Sequence, residues 1–113
     1  MKGGYARVCS VNDVPRGGMK LVKVRGFEIL IVNIDGDFYA YDNRCPHMGY
    51  PLFLGTIDGW TLICGFHYAK FDIKSGKPLN NVSEKPLKKI KLRRLNSELE
   101  VDLSSLEGHL ERH

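Results

Sequence analysis

Cys45-Pro46-His47 and, after sixteen intervening residues, Cys64-Gly65-Phe66-His67 make up the pattern Cys-x-His…Cys-x-x-His. Two short Cys/His pairs on separate loops can hold one metal centre, because each loop supplies a thiolate and an imidazole. Cys₂His₂ is also a ligand set for structural zinc, but zinc fingers usually group Cys with Cys and His with His. One Cys and one His on each loop favours a centre that contains two unlike metal atoms.

The sequence on both sides of these loops predicts short β-strands separated by turn residues. Phe27–Ile34 is the strongest candidate, and its middle is apolar on both faces, which indicates a central strand. Asp35-Gly36 predicts a tight hairpin turn after it. The other predicted strands are Tyr5–Ser10, Met19–Val24, Phe38–Tyr41, Thr56–Ile57, Trp60–Cys64, Lys70–Lys74, Lys89–Leu95 and Glu98–Leu103.

The strand pattern predicts an all-β fold, a sandwich or partly closed barrel, since no segment longer than ten residues has a helical period. Two loops interrupt the strands, Asn43–Gly55 and Gly65–Ala69, and each lies beside a cysteine and contains a histidine. The length of 113 residues suits one domain, which we place at residues 1–103, followed by a polar C-terminal tail at 104–113.

Composition is that of a soluble globular protein, with 42% apolar and 27% charged residues. The longest apolar run, Ile29–Val32, is too short to cross a bilayer, and the N-terminus has no apolar export signal. Three cysteines are an odd number, which argues against a disulfide framework and fits a reducing compartment. We therefore expect a cytoplasmic protein without a membrane segment.

The sequence resembles the Rieske ferredoxin family over nearly its whole length. The resemblance rests on Cys45–Leu52, Gly55, Cys64–Asp72 and Ser75-Gly76, and on the upstream Asp35–Ala40. It implies one [2Fe–2S] cluster with Cys45 and Cys64 on the inner iron, and with His47 and His67 on the outer iron near solvent. Histidine ligands on one iron raise the potential of such clusters above that of all-cysteine ferredoxins.

The second loop departs from the family pattern Cys-Pro-x-His-Gly at two positions. Gly65 replaces the proline and Tyr68 replaces the glycine, so Tyr68 is strained if that glycine used a positive φ. Respiratory Rieske proteins also carry a disulfide between the two loops. The matching positions here are Gly49 or Tyr50 and Phe66, which cannot form it.

Two further positions assign the chain to a branch of the family. Ala69 and Phe71 stand where respiratory Rieske proteins tend to have a serine and a tyrosine that donate hydrogen bonds to cluster sulfur. Neither side chain can donate, so the reduced cluster is less stabilised. The resemblance therefore implies a soluble, low-potential ferredoxin, and 113 residues leave no room for the mononuclear-iron domain of an oxygenase.

The function implied is that of a one-electron carrier, not an enzyme by itself. It passes electrons from a reductase to a terminal oxidoreductase or oxygenase, and we expect a monomer. One alternative is a structural zinc-binding interaction module, which a visible absorption spectrum would distinguish because zinc is colourless. Another is a small Rieske subunit of a larger oxidoreductase complex.

Two features lie outside this constellation. Cys9 falls in the first predicted strand and is interpreted as a small buried hydrophobe. Residues 85–94 contain six basic side chains and no acid, which we interpret as the solvated face of a strand in preference to a partner surface. The run contains no aromatic residue for base stacking, so no nucleic-acid partner is predicted, and the net charge of +4 favours acidic partners.

Overall fold

The computed structural model describes residues 5–46, 49–65, 68–104 and 106. Within these ranges two 3₁₀ turns, Val11–Asp13 and Leu52–Leu54, accompany the strands, and no helix is long and apolar enough to cross a membrane. The strands are β1 (Tyr5–Ser10), β2 (Gly18–Val24), β3 (Phe27–Ile34), β4 (Asp37–Asp42), β5 (Thr56–Asp58), β6 (Thr61–Ile63), β7 (Lys70–Asp72), β8 (Lys89–Ile90), β9 (Leu92–Leu95) and β10 (Glu98–Asp102).

These strands form three antiparallel sheets. The middle sheet has the order β2-β3-β4-β8, the terminal sheet β1-β10-β9, and the small sheet β5-β6-β7. The predicted all-β fold is confirmed as packed antiparallel sheets, with no closed barrel among the described residues.

Strand β3 lies inside the middle sheet, and both of its faces are buried. Ile29 and Ile31 pack with residues of the terminal sheet in one core, whereas Leu30 and Val32 pack in a second core that faces the small sheet. Alternate residues of a strand point to opposite faces, so the part of a strand that lies between two cores is apolar at successive positions. This explains the continuous apolar run Ile29–Val32 within Phe27–Ile34, and the predicted bounds and central position of that strand are both confirmed.

The hairpin between β3 and β4 turns at Asp35-Gly36, as predicted. Both residues have left-handed backbone conformations, with φ of 54° and 93°, which a two-residue type I′ turn requires. Asn33 supports the turn, because its Oδ1 accepts from the Gly36 N–H at 2.8 Å and its Nδ2 donates to the Val14 carbonyl at 2.8 Å. A buried amide thereby joins the hairpin to the loop before β2.

The predicted strand Lys89–Leu95 is wrong as a single element. It divides at Lys91 into β8, which pairs with β4 in the middle sheet, and β9, which pairs with β10 in the terminal sheet. The chain passes from one sheet to the other here, and the Lys91 carbonyl accepts from the Asp102 N–H at 2.9 Å. The apolar alternation continues across the crossing, so it gives no sign of the change of sheet.

The C-terminal end of the described chain also packs further than the predicted domain boundary. Leu106 is only 4% exposed and lies in the core between the middle and terminal sheets. The packed part of the molecule therefore extends at least three residues beyond Leu103. Tail residues 105 and 107–113, His109 and His113 among them, lie outside the described residues.

Candidate metal centre

Cys45 and Cys64 occupy equivalent places at the bases of two six-residue loops. The Cys45 N–H donates to the Tyr50 carbonyl at 2.8 Å, and the Cys64 N–H donates to the Ala69 carbonyl at 2.8 Å. In the first loop the Gly49 N–H also donates back to the Cys45 carbonyl at 2.7 Å. Each loop is thus closed by the same bond from residue i to residue i+5, and each contains one of the predicted histidine ligands in its sequence.

The structure brings both cysteines into one dry environment. Cys45 and Cys64 are reduced cysteines, 1% and 0% exposed, in the core between the middle and small sheets. Within the described ranges no group of three or more Cys, His, Asp or Glu side chains assembles, and His47 and His67 lie outside those ranges. Two buried thiols at the bases of matching loops fit a centre that takes half of its ligands from cysteine.

Asn43 holds the start of the first loop, a role that the sequence reasoning missed. Its side chain is buried, with Oδ1 accepting from the Phe53 N–H at 2.9 Å and Nδ2 donating to Glu28 Oε1 at 3.1 Å. Its main chain donates to the Glu28 carbonyl at 3.0 Å and accepts from the Leu52 N–H at 2.7 Å. One residue therefore fixes both ends of the Cys45 loop to strand β3.

The two loops touch each other at glycines. A Cβ atom on Gly55 would lie 2.1 Å from the carbonyl oxygen of Ile63, the residue directly before Cys64. A Cβ atom on Gly65 would lie 3.2 Å from the Leu54 carbonyl oxygen and 3.4 Å from Cε2 of Tyr50. Only a glycine at position 55 allows the end of the first loop to approach strand β6 this closely.

Tyr68 has the backbone conformation that was anticipated for a glycine. Its φ is 58°, and its side chain is 71% exposed. The departure from the family pattern therefore places a bulky side chain in the left-handed region, one residue before the Ala69 carbonyl that closes the loop.

No hydroxyl is present at the two positions that distinguish the family branches. Ala69 and Phe71 are fully buried in the same core as both cysteines. Tyr41 also lies in this core, but its hydroxyl donates to the Ile73 carbonyl, and burial raises the pKa of Tyr41 above its usual value. The inner side of the site is consequently apolar.

The outer side of the first loop carries positive charge. A groove of about 340 Å³ is lined by Cys45 and Pro46 together with Arg44, Lys85 and Lys88. Asp42 also lines it and pairs with Arg44 at 3.1 Å. The basic run 85–94 is therefore divided, because Lys85 and Lys88 border this loop whereas β9 belongs to the terminal sheet.

Cys9 lies apart from the site, in the core between the middle and terminal sheets. It is 3% exposed, and desolvation by burial raises the pKa of its thiol. The interpretation of Cys9 as a small buried hydrophobe agrees with this position.

Comparisons with known proteins agree with the chemistry of the site. Residues 4–91 match the Rieske [2Fe–2S] domain. The ferredoxin component of the naphthalene 1,2-dioxygenase/salicylate 5-hydroxylase systems of Ralstonia sp. is 32% identical over 88 residues, which are 78% of this chain and 85% of that protein. The biphenyl dioxygenase ferredoxin subunit of Pseudomonas sp. (strain KKS102) is 31% identical over 106 residues, 93% of this chain and 97% of that one.

Solved structures give the same result. A complex of reduced oxygenase and oxidised ferredoxin in carbazole 1,9a-dioxygenase contains a chain that superposes with a TM-score of 0.82 at 25% identity, covering 89% of this chain and 94% of that one. The ferredoxin of Sphingomonas yanoikuyae B1 superposes with a TM-score of 0.80 at 28% identity, covering 86% and 96%.

These relatives decide between the two kinds of centre that a Cys₂His₂ set allows. Zinc was the alternative, but the matching domain is defined by an iron–sulfur cluster, and the relatives are electron-carrying ferredoxin components. One [2Fe–2S] cluster accounts for two buried thiols, two matching loops and an apolar inner wall. The chain belongs to the Rieske-type [2Fe–2S] ferredoxins and is a carrier of single electrons.

Proposed function

We propose that Cys45 and Cys64 bind the inner iron of the cluster, and that His47 and His67 bind the outer iron. The matching hydrogen bonds that close the two cysteine loops support this ligand set, because they give the loops equivalent frames around one centre. When bound, the cluster takes up and releases one electron. The chain's own part is to hold the thiolates, to exclude water from the inner side and to keep the two loops in contact at Gly55.

We further propose that this ferredoxin receives electrons from a reductase and delivers them to a terminal oxygenase or other oxidoreductase. The names of its relatives as ferredoxin components of dioxygenase systems support the proposal, as does the solved complex of an oxygenase with its ferredoxin. We propose a cytoplasmic monomer in which the Rieske domain predicted at residues 1–103 extends to Leu106, which packs in its core. The odd number of cysteines, three, supports a reducing compartment.

Single substitutions of the ligands test the first proposal, with the third cysteine as the matched control. Cys45→Ser, Cys64→Ser, His47→Ala and His67→Ala should each lose most of the iron and acid-labile sulfide, while Cys9→Ser should keep two of each per chain. Visible absorption and electron paramagnetic resonance report the cluster. A colourless wild type with stoichiometric zinc would contradict the cofactor, and a cluster retained by a ligand variant would contradict that ligand.

The remaining alternative, a permanent subunit of a larger complex, predicts a different behaviour in solution. Analytical ultracentrifugation should give a species of 12.8 kDa in both oxidation states if the chain is a free carrier. Purification from the natural host of a stable complex with a second polypeptide in fixed ratio would favour the subunit alternative.

A further inference from the structure

Tyr68 is unusual among the residues with a left-handed backbone. In the described ranges the other non-glycine residues with positive φ are Arg25, Asp35 and Asn96, and each lies in a short turn between paired strands. Tyr68 lies instead in the six-residue Cys64 loop that joins the paired strands β6 and β7, which is longer than the two-residue turns that require this conformation. A left-handed residue with a Cβ costs about 1–2 kcal/mol, so its surroundings must hold it there.

The side chain of Asn80 supplies that support. Its Nδ2 donates to the Tyr68 carbonyl at 3.0 Å, while its Oδ1 accepts from the Lys70 N–H at 3.3 Å and from the Val82 N–H at 3.3 Å. One amide group therefore joins the segment after β7 to residues on both sides of Ala69. The three partners also fix which end of the amide is oxygen, because two are donors and one is an acceptor.

The hydrogen bond from Asn80 to the Tyr68 carbonyl is connected through the backbone to Cys64, a proposed ligand. The Tyr68 carbonyl belongs to the peptide that joins Tyr68 to Ala69, and the Ala69 carbonyl accepts the Cys64 N–H that closes the loop at 2.8 Å. Rotation of the Tyr68–Ala69 peptide toward a right-handed Tyr68 would break the bond from Asn80 and displace the acceptor for Cys64. His67 is the residue that precedes Tyr68 in the sequence.

We propose that Asn80 is a positioning residue for the second cluster loop and that it compensates for a tyrosine at a position with a glycine-type backbone. The inference rests on the proposed ligand set, since it acts through the loop that carries Cys64 and His67. Asn80 touches no reacting atom. It holds the peptide after Tyr68, and that peptide holds the frame of the loop.

A double-mutant cycle tests the compensation. Each neutral hydrogen bond is worth a factor of about 2 to 12 in an equilibrium, so Asn80→Ala should speed chelator-induced loss of the cluster by about tenfold or more when residue 68 is tyrosine. In a Tyr68→Gly background the left-handed conformation is intrinsically accessible. There the same change at Asn80 should have less than about a third of that effect. Equal effects in the two backgrounds would overturn the proposal.

Asn80→Asp separates the bond to Tyr68 from the other two. The carboxylate can still accept from the N–H groups of Lys70 and Val82, but it has no donor for the Tyr68 carbonyl. We expect Asn80→Asp to lose the cluster nearly as fast as Asn80→Ala and to alter the visible circular dichroism of the oxidised cluster, measured at high salt to screen the added charge. Loss at the wild-type rate with an unchanged spectrum would show that the bond to Tyr68 positions nothing.

Failure of the ligand assignment gives a different result from failure of this inference. If Cys64→Ser keeps the cluster, the proposed ligand set is wrong whatever Asn80 does. If Cys64→Ser loses the cluster and Asn80→Asp behaves as wild type, the ligand set stands and the positioning role of Asn80 is refuted.

Discussion

Gly55→Ala tests the close contact between the two cluster loops. The added Cβ would lie 2.1 Å from the Ile63 carbonyl oxygen, whereas 3.0 Å is the practical lower limit for such contacts. It would also lie 3.2 Å from the Leu52 carbonyl oxygen, so the loop has backbone on two sides. Relief requires the first loop and strand β6 to separate by nearly an ångström.

The expected loss in the free energy of unfolding follows from the fact that both atoms in contact with the added Cβ belong to the backbone. Forcing extra atoms into a packed site typically costs about 1–3 kcal/mol, and we expect the upper end because no flexible side chain can yield. Gly55 has φ of −85°, which alanine adopts without strain. Without the contact, Gly55→Ala would therefore stabilise the protein by about 0.4–1 kcal/mol through the unfolded state. The sign of the change in the free energy of unfolding therefore shows whether the close contact exists.

Urea unfolding of the cluster-free protein measures this free energy, and iron content after reconstitution measures the effect on the site. We expect Gly55→Ala to lose about 3 kcal/mol and most of its cluster. Gly59→Ala is the control: Gly59 has φ of 62° and no atom within 4 Å of the added Cβ, so it should lose about 1–2 kcal/mol and keep the cluster. A stabilised Gly55→Ala variant with full iron content would refute the steric argument.

Three further substitutions test the surroundings of the site. Phe71→Tyr adds a hydroxyl donor to the core that holds both cysteines, and redox titration should show a higher midpoint potential; an unchanged potential would mean that this position does not set it. The Ser75 hydroxyl is the largest of the effects that lower the pKa of Asp72, so Ser75→Ala should raise that pKa in an NMR titration. A depressed pKa stabilises the fold above the unfolded-state value and is lost as pH falls through the folded one, so this variant should unfold in acid at higher pH. Tyr41→Phe leaves the Ile73 carbonyl without its donor and should cost about 1–3 kcal/mol in urea unfolding; no loss would show that another group satisfies it.

The parts of the fold that could be predicted are those whose pattern is local. Phe27–Ile34 could be predicted because the part of it that is buried on both faces, Ile29–Val32, needs an unbroken apolar run. The hairpin turn at Asp35-Gly36 could also be predicted, since few residues tolerate a left-handed backbone. The division of Lys89–Leu95 at Lys91 could not be predicted, because the alternation of buried and exposed residues is the same whether a strand pairs with β4 or with β10.

The residues of the site also divide into those that could be predicted from the sequence and those that could not. Cys45 and Cys64 could be found by spacing, because ligands on a short loop must be close in sequence. Asn43 and Asn80 could not, because each acts through backbone groups that the fold brings near it. Asn43 reaches Glu28, fifteen residues away, and Asn80 reaches Tyr68, twelve residues away. Asparagine at the edge of a loop was the available signal, and many asparagines at such places only cap turns.

The three cysteines have different roles, which the alternation of side chains in β3 distinguishes and the number of cysteines does not. Cys45 and Cys64 share a core with Leu30, whereas Cys9 shares the other core with Ile29, the adjacent residue of the same strand. Because neighbouring side chains of β3 point to opposite faces, the middle sheet lies between Cys9 and the cluster site. The Cys9 thiolate cannot join Cys45 and Cys64 without breaking that sheet, so the alternation within β3 agrees with a proposed ligand set that contains two cysteines.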